Sequence, residues 1–140
     1  MIGAFSTPHN RIFTLILLLI CGVLAIAAKA IGISDNPPGL LLAFLSVSAF
    51  VLAFVHPWRT SKQFRYLIYA SVLGFIVFVF LHNVFDIVAS ESGGSGIVPG
   101  LLGITSAAFF IVATLLCPAA FIVGAVGSVA MFIRSRRRPT

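Results

Sequence analysis

Residues 64–89 read FRYLIYASVLGFIVFVFLHNVFDIVA and indicate a helix that crosses a lipid bilayer. The run is almost entirely apolar, and it is longer than the roughly 20 residues that span a bilayer core. Its final third departs from this pattern, because His82, Asn83 and Asp86 place an imidazole, an amide and a carboxylate close together. The stretch therefore predicts a transmembrane helix that carries one polar cluster near one end.

The rest of the chain has the composition of an integral membrane protein. Of its 140 residues, 60% are hydrophobic and 9% are charged, whereas soluble domains carry about 25% charged residues. A chain this apolar cannot surround a core with polar surface. That excludes a soluble fold, and with it the nucleic-acid binding that a net charge of +6 would otherwise suggest. We expect one all-α transmembrane domain over residues 1–140.

Four apolar segments predict four transmembrane helices, at about residues 11–32, 39–56, 64–89 and 105–134. Pro37-Pro38, His56-Pro57 and the Ser-Gly-Gly-Ser-Gly stretch at 92–96 separate them. Because the connections are short, consecutive helices should be antiparallel neighbours in an up-down bundle.

The fourth apolar segment is too long for one ordinary span. As a single helix, residues 97–133 would measure about 55 Å, well beyond a bilayer core. We therefore expect residues 97–104 to be non-helical or to lie on the membrane surface, with Thr105 or Ser106 capping the helix proper. Pro118 should kink this helix. The alternative, two spans broken at Cys117-Pro118, would separate the C-terminal arginines from the other basic residues.

The charges predict the orientation. In a four-span arrangement every basic residue except Lys29 falls on one side of the membrane, while Asp35 and Glu91 fall in loops on the other. Cytoplasmic loops carry the excess of lysine and arginine, so both termini should be cytoplasmic, in what we interpret as a prokaryotic plasma membrane. We expect the following residues on that side to contact anionic lipid headgroups: Arg59, Lys62, Arg65, Arg134, Arg136, Arg137 and Arg138.

The polar cluster of the third helix has a candidate counter-charge. His82 and Asp86 share a helix face because they are four residues apart, and a charge facing mid-bilayer lipid costs about 2.5–3.5 kcal/mol. Lys29 is predicted at a similar depth, beside a face of small residues on the first helix: Cys21, Ala25, Ala28 and Gly32. The hypothesis is that the first and third helices pack together and pair Lys29 with Asp86, with His82 and Asn83 completing the network.

This cluster leaves three interpretations open: an ion pair that fixes helix packing, a proton or ion pathway, and a contact with another subunit or a lipid headgroup. The fourth segment adds a small-residue packing face, which either closes the bundle or forms a seam between copies: Ala113, Cys117, Ala120, Gly124 and Ser128.

No motif of an enzyme is present: the sequence has no catalytic triad, phosphate loop or pair of catalytic carboxylates. His9 and His56 are predicted most of a bilayer away from His82, which excludes a bis-histidine haem within one protomer, and we expect no metal or cofactor. Two functions remain. The first is a non-enzymatic structural or accessory subunit of a larger membrane complex or homo-oligomer. The second is a small oligomeric transporter or channel with a site at Lys29, His82 and Asp86.

Overall fold

The computed structural model describes residues 8–33, 36–92 and 96–136. Its elements are α1 (Pro8–Ile31), α2 (Pro37–Val55), α3 (Ser61–Glu91), α4 (Ile97–Ile111), a π-helical segment (Val112–Leu116) and α5 (Cys117–Arg136). The last three form one continuous helix, Ile97–Arg136, called the fourth helix below. In the described part of the chain, four helices are thus long and apolar enough to cross a membrane. This confirms the prediction of an all-helical chain with four such segments.

The connection between α1 and α2 is determined by residues suited to helix ends. Gly32 adopts a left-handed conformation, with φ of 92°, that a residue with a Cβ rarely adopts and that commonly ends a helix. The Asn36 side-chain amide donates a hydrogen bond of 3.0 Å to the carbonyl of Ile31. Pro37 and Pro38 then occupy the first positions of α2, where their missing N–H groups leave no bond unmade.

The predicted start of the fourth helix is wrong. Residues 97–104 are helical, and α4 begins at Ile97. Pro99 lies in the first turn, where backbone N–H groups have no partner within the helix. Thr105 is not a cap, because its hydroxyl donates to the Leu101 carbonyl at 2.8 Å inside the helix. With 40 residues, the fourth helix is about 60 Å long, so it tilts or extends beyond a bilayer core.

The π-helical segment lies directly before Pro118. At its end the Cys117 N–H bonds to the Val112 carbonyl, one residue further back than in an α-helix. Proline lacks an N–H and its ring crowds the preceding turn, so a wider turn at this point accommodates it while the helix continues to Arg136.

The four helices make contact in the order α1, α2, fourth helix, α3. Within the described chain, the backbone of α3 runs close only to the fourth helix and that of α1 only to α2. Two predictions are therefore wrong: the fourth helix lies between α2 and α3, which meet only at their connected ends, and α1 does not pack against α3. The bundle is open between α1 and α3.

The reason for the α1–α2 pairing is a close approach of small residues. A Cβ added to Gly39 would overlap the Gly32 carbonyl, so the first turn of α2 lies directly on the end of α1. Ala28 is buried there, and the Ser46 hydroxyl donates a 2.8 Å hydrogen bond to the Cys21 carbonyl. The small face predicted on the first helix thus contacts α2 rather than α3.

One end of the bundle contains the apolar core and most of the basic side chains. There Val51, Val55, Phe64, Ala120 and Val123 form a buried cluster, with Trp58 and Met131 packed against it. The end of α2, the start of α3 and the end of the fourth helix meet at this point. We call it the basic end and the opposite end, which contains Lys29 and Asp86, the far end.

Candidate functional site

His82 of α3 and Ser106 of α4 form a reciprocal pair of hydrogen bonds between two helices. The imidazole Nδ1 lies 2.8 Å from the Ser106 hydroxyl oxygen and 3.1 Å from the Ser106 carbonyl oxygen. The Ser106 hydroxyl in turn donates to the His82 carbonyl at 3.2 Å. Ser106 is only 2% exposed, so this polar contact is enclosed by the two helices.

The partners of His82 indicate its tautomer. A carbonyl oxygen only accepts, and the Ser106 hydroxyl proton is already directed to the His82 carbonyl. These contacts favour the tautomer in which Nδ1 carries the hydrogen and donates to Ser106. In the neutral imidazole this leaves Nε2 as an acceptor with an open lone pair. In that tautomer the side chain is held by one nitrogen and can accept a hydrogen bond with the other.

A cleft of about 280 Å³ opens beside this pair, and we call it the polar cleft. Its walls include His82, Asp86, Gly103, Ser106 and Phe110. The His82 and Phe110 rings lie 5.1 Å apart between centroids. Asp86 contributes an exposed carboxylate to the opening, so the cleft combines an imidazole, a hydroxyl and a carboxylate on a mostly apolar surface.

The other two members of the predicted cluster do not join it. Asn83 is exposed and its amide donates to the Val79 carbonyl of its own helix at 2.7 Å. Lys29 lies exposed on α1, and α1 has no contact with α3 in the described chain. The predicted Lys29–Asp86 pair within one chain is wrong, because α1 packs against α2.

The predicted small-residue face of the fourth helix is directed into the bundle. Ala113, Cys117, Ala120 and Gly124 are buried and Ser128 is half-buried. The closest approach is to α3, where a Cβ added to Gly124 would lie 2.9 Å from Ile68 Cγ1 and 3.1 Å from the Phe64 carbonyl oxygen. The Ser128 and Ser61 hydroxyls are 3.1 Å apart.

The predicted headgroup residues lie around the basic end. Arg59, Lys62, Arg65, Arg134 and Arg136 are all exposed, and the guanidinium of Arg136 lies 4.7 Å from the centre of the Phe132 ring. Arg59 and Arg134 line one cleft together. Arg137 and Arg138 lie outside the described residues.

The two cysteines are free thiols in separate places. Cys21 lies 3.4 Å from the Ser46 hydroxyl on the α1–α2 interface, and Cys117 is buried beside Gly74 of α3. Among residues 8–33, 36–92 and 96–136, no three side chains of histidine, cysteine, aspartate or glutamate are grouped so that they could hold a metal ion.

Sequence reasoning missed Ser106 as the partner of His82, although a signal was present. His82 lies ten residues before Ser92 and Ser106 ten residues after Gly96. In an antiparallel pair joined by this short loop, equal separations place two residues at the same depth. A hydroxyl at that depth is the natural partner for an imidazole in an apolar environment, since buried polar groups are nearly always hydrogen-bonded.

Comparison with known proteins assigns neither a family nor a function to the chain. The chain matches no protein-family model, no curated protein and no solved structure.

Proposed function

We propose that the protein is a non-enzymatic structural subunit of a membrane assembly, built either from copies of itself or together with other membrane chains. We further propose that the basic end faces the cytoplasm, as the positive-inside rule favours, and that both termini lie there in a prokaryotic plasma membrane. The assembly proposal rests on one observation: Lys29 and Asp86 carry opposite charges near the far end, and both are exposed. They lie on α1 and α3, the first and the last helix in the contact order.

Lys29 and Asp86 have no ionic partner within residues 8–33, 36–92 and 96–136. In these ranges the backbone of α1 runs close only to α2 and that of α3 only to the fourth helix. Uncompensated charges on membrane-spanning helices are unfavourable. A contact between α1 of one copy and α3 of the next would neutralise both. Because these are two different surfaces, the contact is heterologous and closes into a ring when the rotation between copies fits.

The test is a charge exchange between copies. Lys29→Asp alone places two carboxylates in the contact, and Asp86→Lys alone places two amines there. We expect either variant to increase the monomer fraction about tenfold, the equivalent of about 1.4 kcal/mol, measured by light scattering in mild detergent. Coexpression of the two variants should restore the particle mass, because each contact between unlike copies then joins opposite charges.

Glu91→Lys is the matched control, since it makes the same charge change further along α3 at an exposed position. If other chains copurify with the wild type and are lost with Asp86→Lys but not with Glu91→Lys, the assembly is a larger complex. Unchanged particle mass and unchanged copurifying chains in all variants would contradict the proposal.

A second candidate function is a small oligomeric transporter or channel, and the polar cleft is the observation that favours it. His82 and Asp86 line the same opening, and intramembrane ionisable groups commonly mark proton or ion pathways. His82→Gln separates the two candidates. A transporter should lose proton or cation flux in proteoliposomes with an unchanged particle mass, whereas a structural subunit should give no flux above empty liposomes in either form.

A further inference from the structure

A second polar cleft, of about 610 Å³, lies at the basic end. Its walls include Arg59 from the α2–α3 connection, and Met131, Arg134 and Ser135 from the last turns of the fourth helix. Two arginines from segments far apart in sequence thus line one space. We call it the arginine cleft.

Both walls of the arginine cleft are held in place by the fold. The Gln63 side-chain oxygen accepts hydrogen bonds from the backbone N–H of Arg59 at 3.2 Å and of Thr60 at 3.3 Å, which fixes the connection against the start of α3. Ser61 of α3 hydrogen-bonds Ser128 of the fourth helix at 3.1 Å. The backbone of both arginines is therefore positioned before any ligand binds, which lowers the entropic cost of binding.

Among the described residues, the basic end contains no acidic side chain that could pair with these arginines. The chain has three acidic residues, Asp35, Asp86 and Glu91. Asp86 and Glu91 are on the last turns of α3, at the far end, and Asp35 belongs to the α1–α2 connection, outside the described residues. The Ser135 hydroxyl donates to the Phe132 carbonyl at 2.7 Å. Among the described lining residues, Arg59 and Arg134 are thus the side chains that can donate hydrogen bonds to an anion.

Arginine pairs of this kind suit phosphate. A guanidinium donates two parallel hydrogen bonds to the oxygens of one phosphate group, and the start of α3 adds the positive end of a helix dipole. The cleft also has an apolar wall at Met131 and lies where four membrane-spanning helices end. Basic pockets between helices at the membrane surface are typical headgroup sites.

We propose that the arginine cleft binds the phosphate group of an anionic phospholipid in the leaflet at the basic end, with Arg59 and Arg134 sharing its oxygens. This is a discrete site, distinct from the general attraction of basic residues to an acidic membrane surface. It is independent of the assembly proposed above, because the far-end residues Lys29 and Asp86 take no part in it.

The experiment measures lipid bound to the purified protein in phosphatidylcholine nanodiscs that contain a minor fraction of phosphatidylglycerol. Native mass spectrometry after release from the nanodiscs counts the phosphatidylglycerol that remains. We expect Arg59→Gln or Arg134→Gln to reduce retention about fivefold and the double variant to abolish it. Lys62→Gln and Arg65→Gln remove the same charge outside the cleft and should retain the lipid.

The variants Arg59→Lys and Arg134→Lys separate the effect of side-chain geometry from that of charge. They also show whether a loss of lipid retention results from misfolding. Each keeps the positive charge but loses the bidentate fork, so retention should fall by less than in the glutamine variants at an unchanged melting temperature. Equal losses in the cleft variants and the Lys62 and Arg65 controls would overturn the site in favour of diffuse surface charge.

The second part of the experiment uses inorganic phosphate, because it presents the same phosphate oxygens without a lipid. Added to protein in pure phosphatidylcholine nanodiscs, it should bind far more weakly than the lipid, since it lacks the acyl chains that hold the headgroup at the cleft. Phosphate binding that depends on Arg59 and Arg134, combined with phosphatidylglycerol retention that does not, would overturn the lipid assignment.

Discussion

The interface between α3 and the fourth helix is built in two different ways along its length. At the basic end the helices touch through glycine. A Cβ added to Gly127 would overlap the Phe64 ring and would lie 2.8 Å from its Cγ atom. At the far end, Gly100 and Gly103 of the same helix have nothing within 4 Å of an added Cβ. There the space is bridged by rings and by the His82–Ser106 hydrogen bonds. Glycine thus allows the two helices to pack closely in one half, whereas the glycines of the other half face open space.

The difference shows how two membrane helices can be held together without a hydrophobic driving force between them. Lipid is as apolar as the side chains, so close contact and hydrogen bonds must supply the stability. The basic end relies on close contact, and the Trp58 and Phe64 rings 5.5 Å apart complete it. The far end relies on Phe109, whose ring lies 5.8 Å from Phe78 and 5.3 Å from Phe85, and on His82. The π-helical segment and Pro118 lie between the two halves.

The largest expected effect comes from filling the glycine contact at the basic end. Gly127→Ala must displace Phe64, which is 6% exposed and has little room to move. We expect a loss of about 1–3 kcal/mol in the free energy of unfolding, as is typical of overpacked cores, measured by titration with denaturing detergent.

Gly103→Ala is the matched control in the same helix, because its added Cβ meets open space. We expect its stability to be unchanged or raised by up to about 1 kcal/mol, because alanine has a higher helix propensity than glycine. If both substitutions lowered stability equally, the comparison between the two halves would fail, because contact with Phe64 would not explain the loss.

A smaller effect is expected from the hydrogen bonds at the far end. Hydrogen bonds between membrane helices average about 0.6 kcal/mol and reach about 1.7 kcal/mol. Because His82 and Ser106 bond each other reciprocally, a double-mutant cycle of His82→Ala and Ser106→Ala should give a coupling of about 1 kcal/mol or more. A cycle with Thr105→Ala in place of Ser106→Ala should give almost none, since the Thr105 hydroxyl bonds its own helix.

Hydropathy and end signals were sufficient to predict the helices themselves. Both are local properties: an apolar run of sufficient length, and Gly32, Pro37 or Pro57 at its limits. The start of the fourth helix was wrong because the length of one span was taken to exclude residues 97–104, among them Pro99 and Gly100, from the helix. In an apolar environment every backbone group must be bonded internally, so the helix extends through both residues.

The choice of neighbours could not be predicted from single segments. Small residues on α1 indicated a packing face, but several helices offer such faces, and the partner depends on which surfaces fit. Gly39, Ala43 and Ser46 form that complementary face on α2 and are all buried. Half of the polar site was predicted correctly, because His82 and Asp86 line one cleft. Lys29 does not join them, since it lies on α1, which packs against α2. Asn83 does not join them either, since its amide bonds its own helix.

The smallest expected effect concerns the hydrogen bond at the basic end. It tests whether glycine packing, rather than hydrogen bonding, holds this half of the interface together. Ser61 and Ser128 bond across the same two helices at 3.1 Å, yet they lie only one turn or two from helix ends, where water can replace either hydroxyl. A double-mutant cycle of Ser61→Ala and Ser128→Ala, with unfolding followed as above, should give a coupling of about 0.5 kcal/mol or less. Ser135→Ala serves as the uncoupled control, since its hydroxyl bonds the Phe132 carbonyl of its own helix. A coupling equal to that of His82 and Ser106 would mean that hydrogen bonding, rather than glycine packing, holds both halves together.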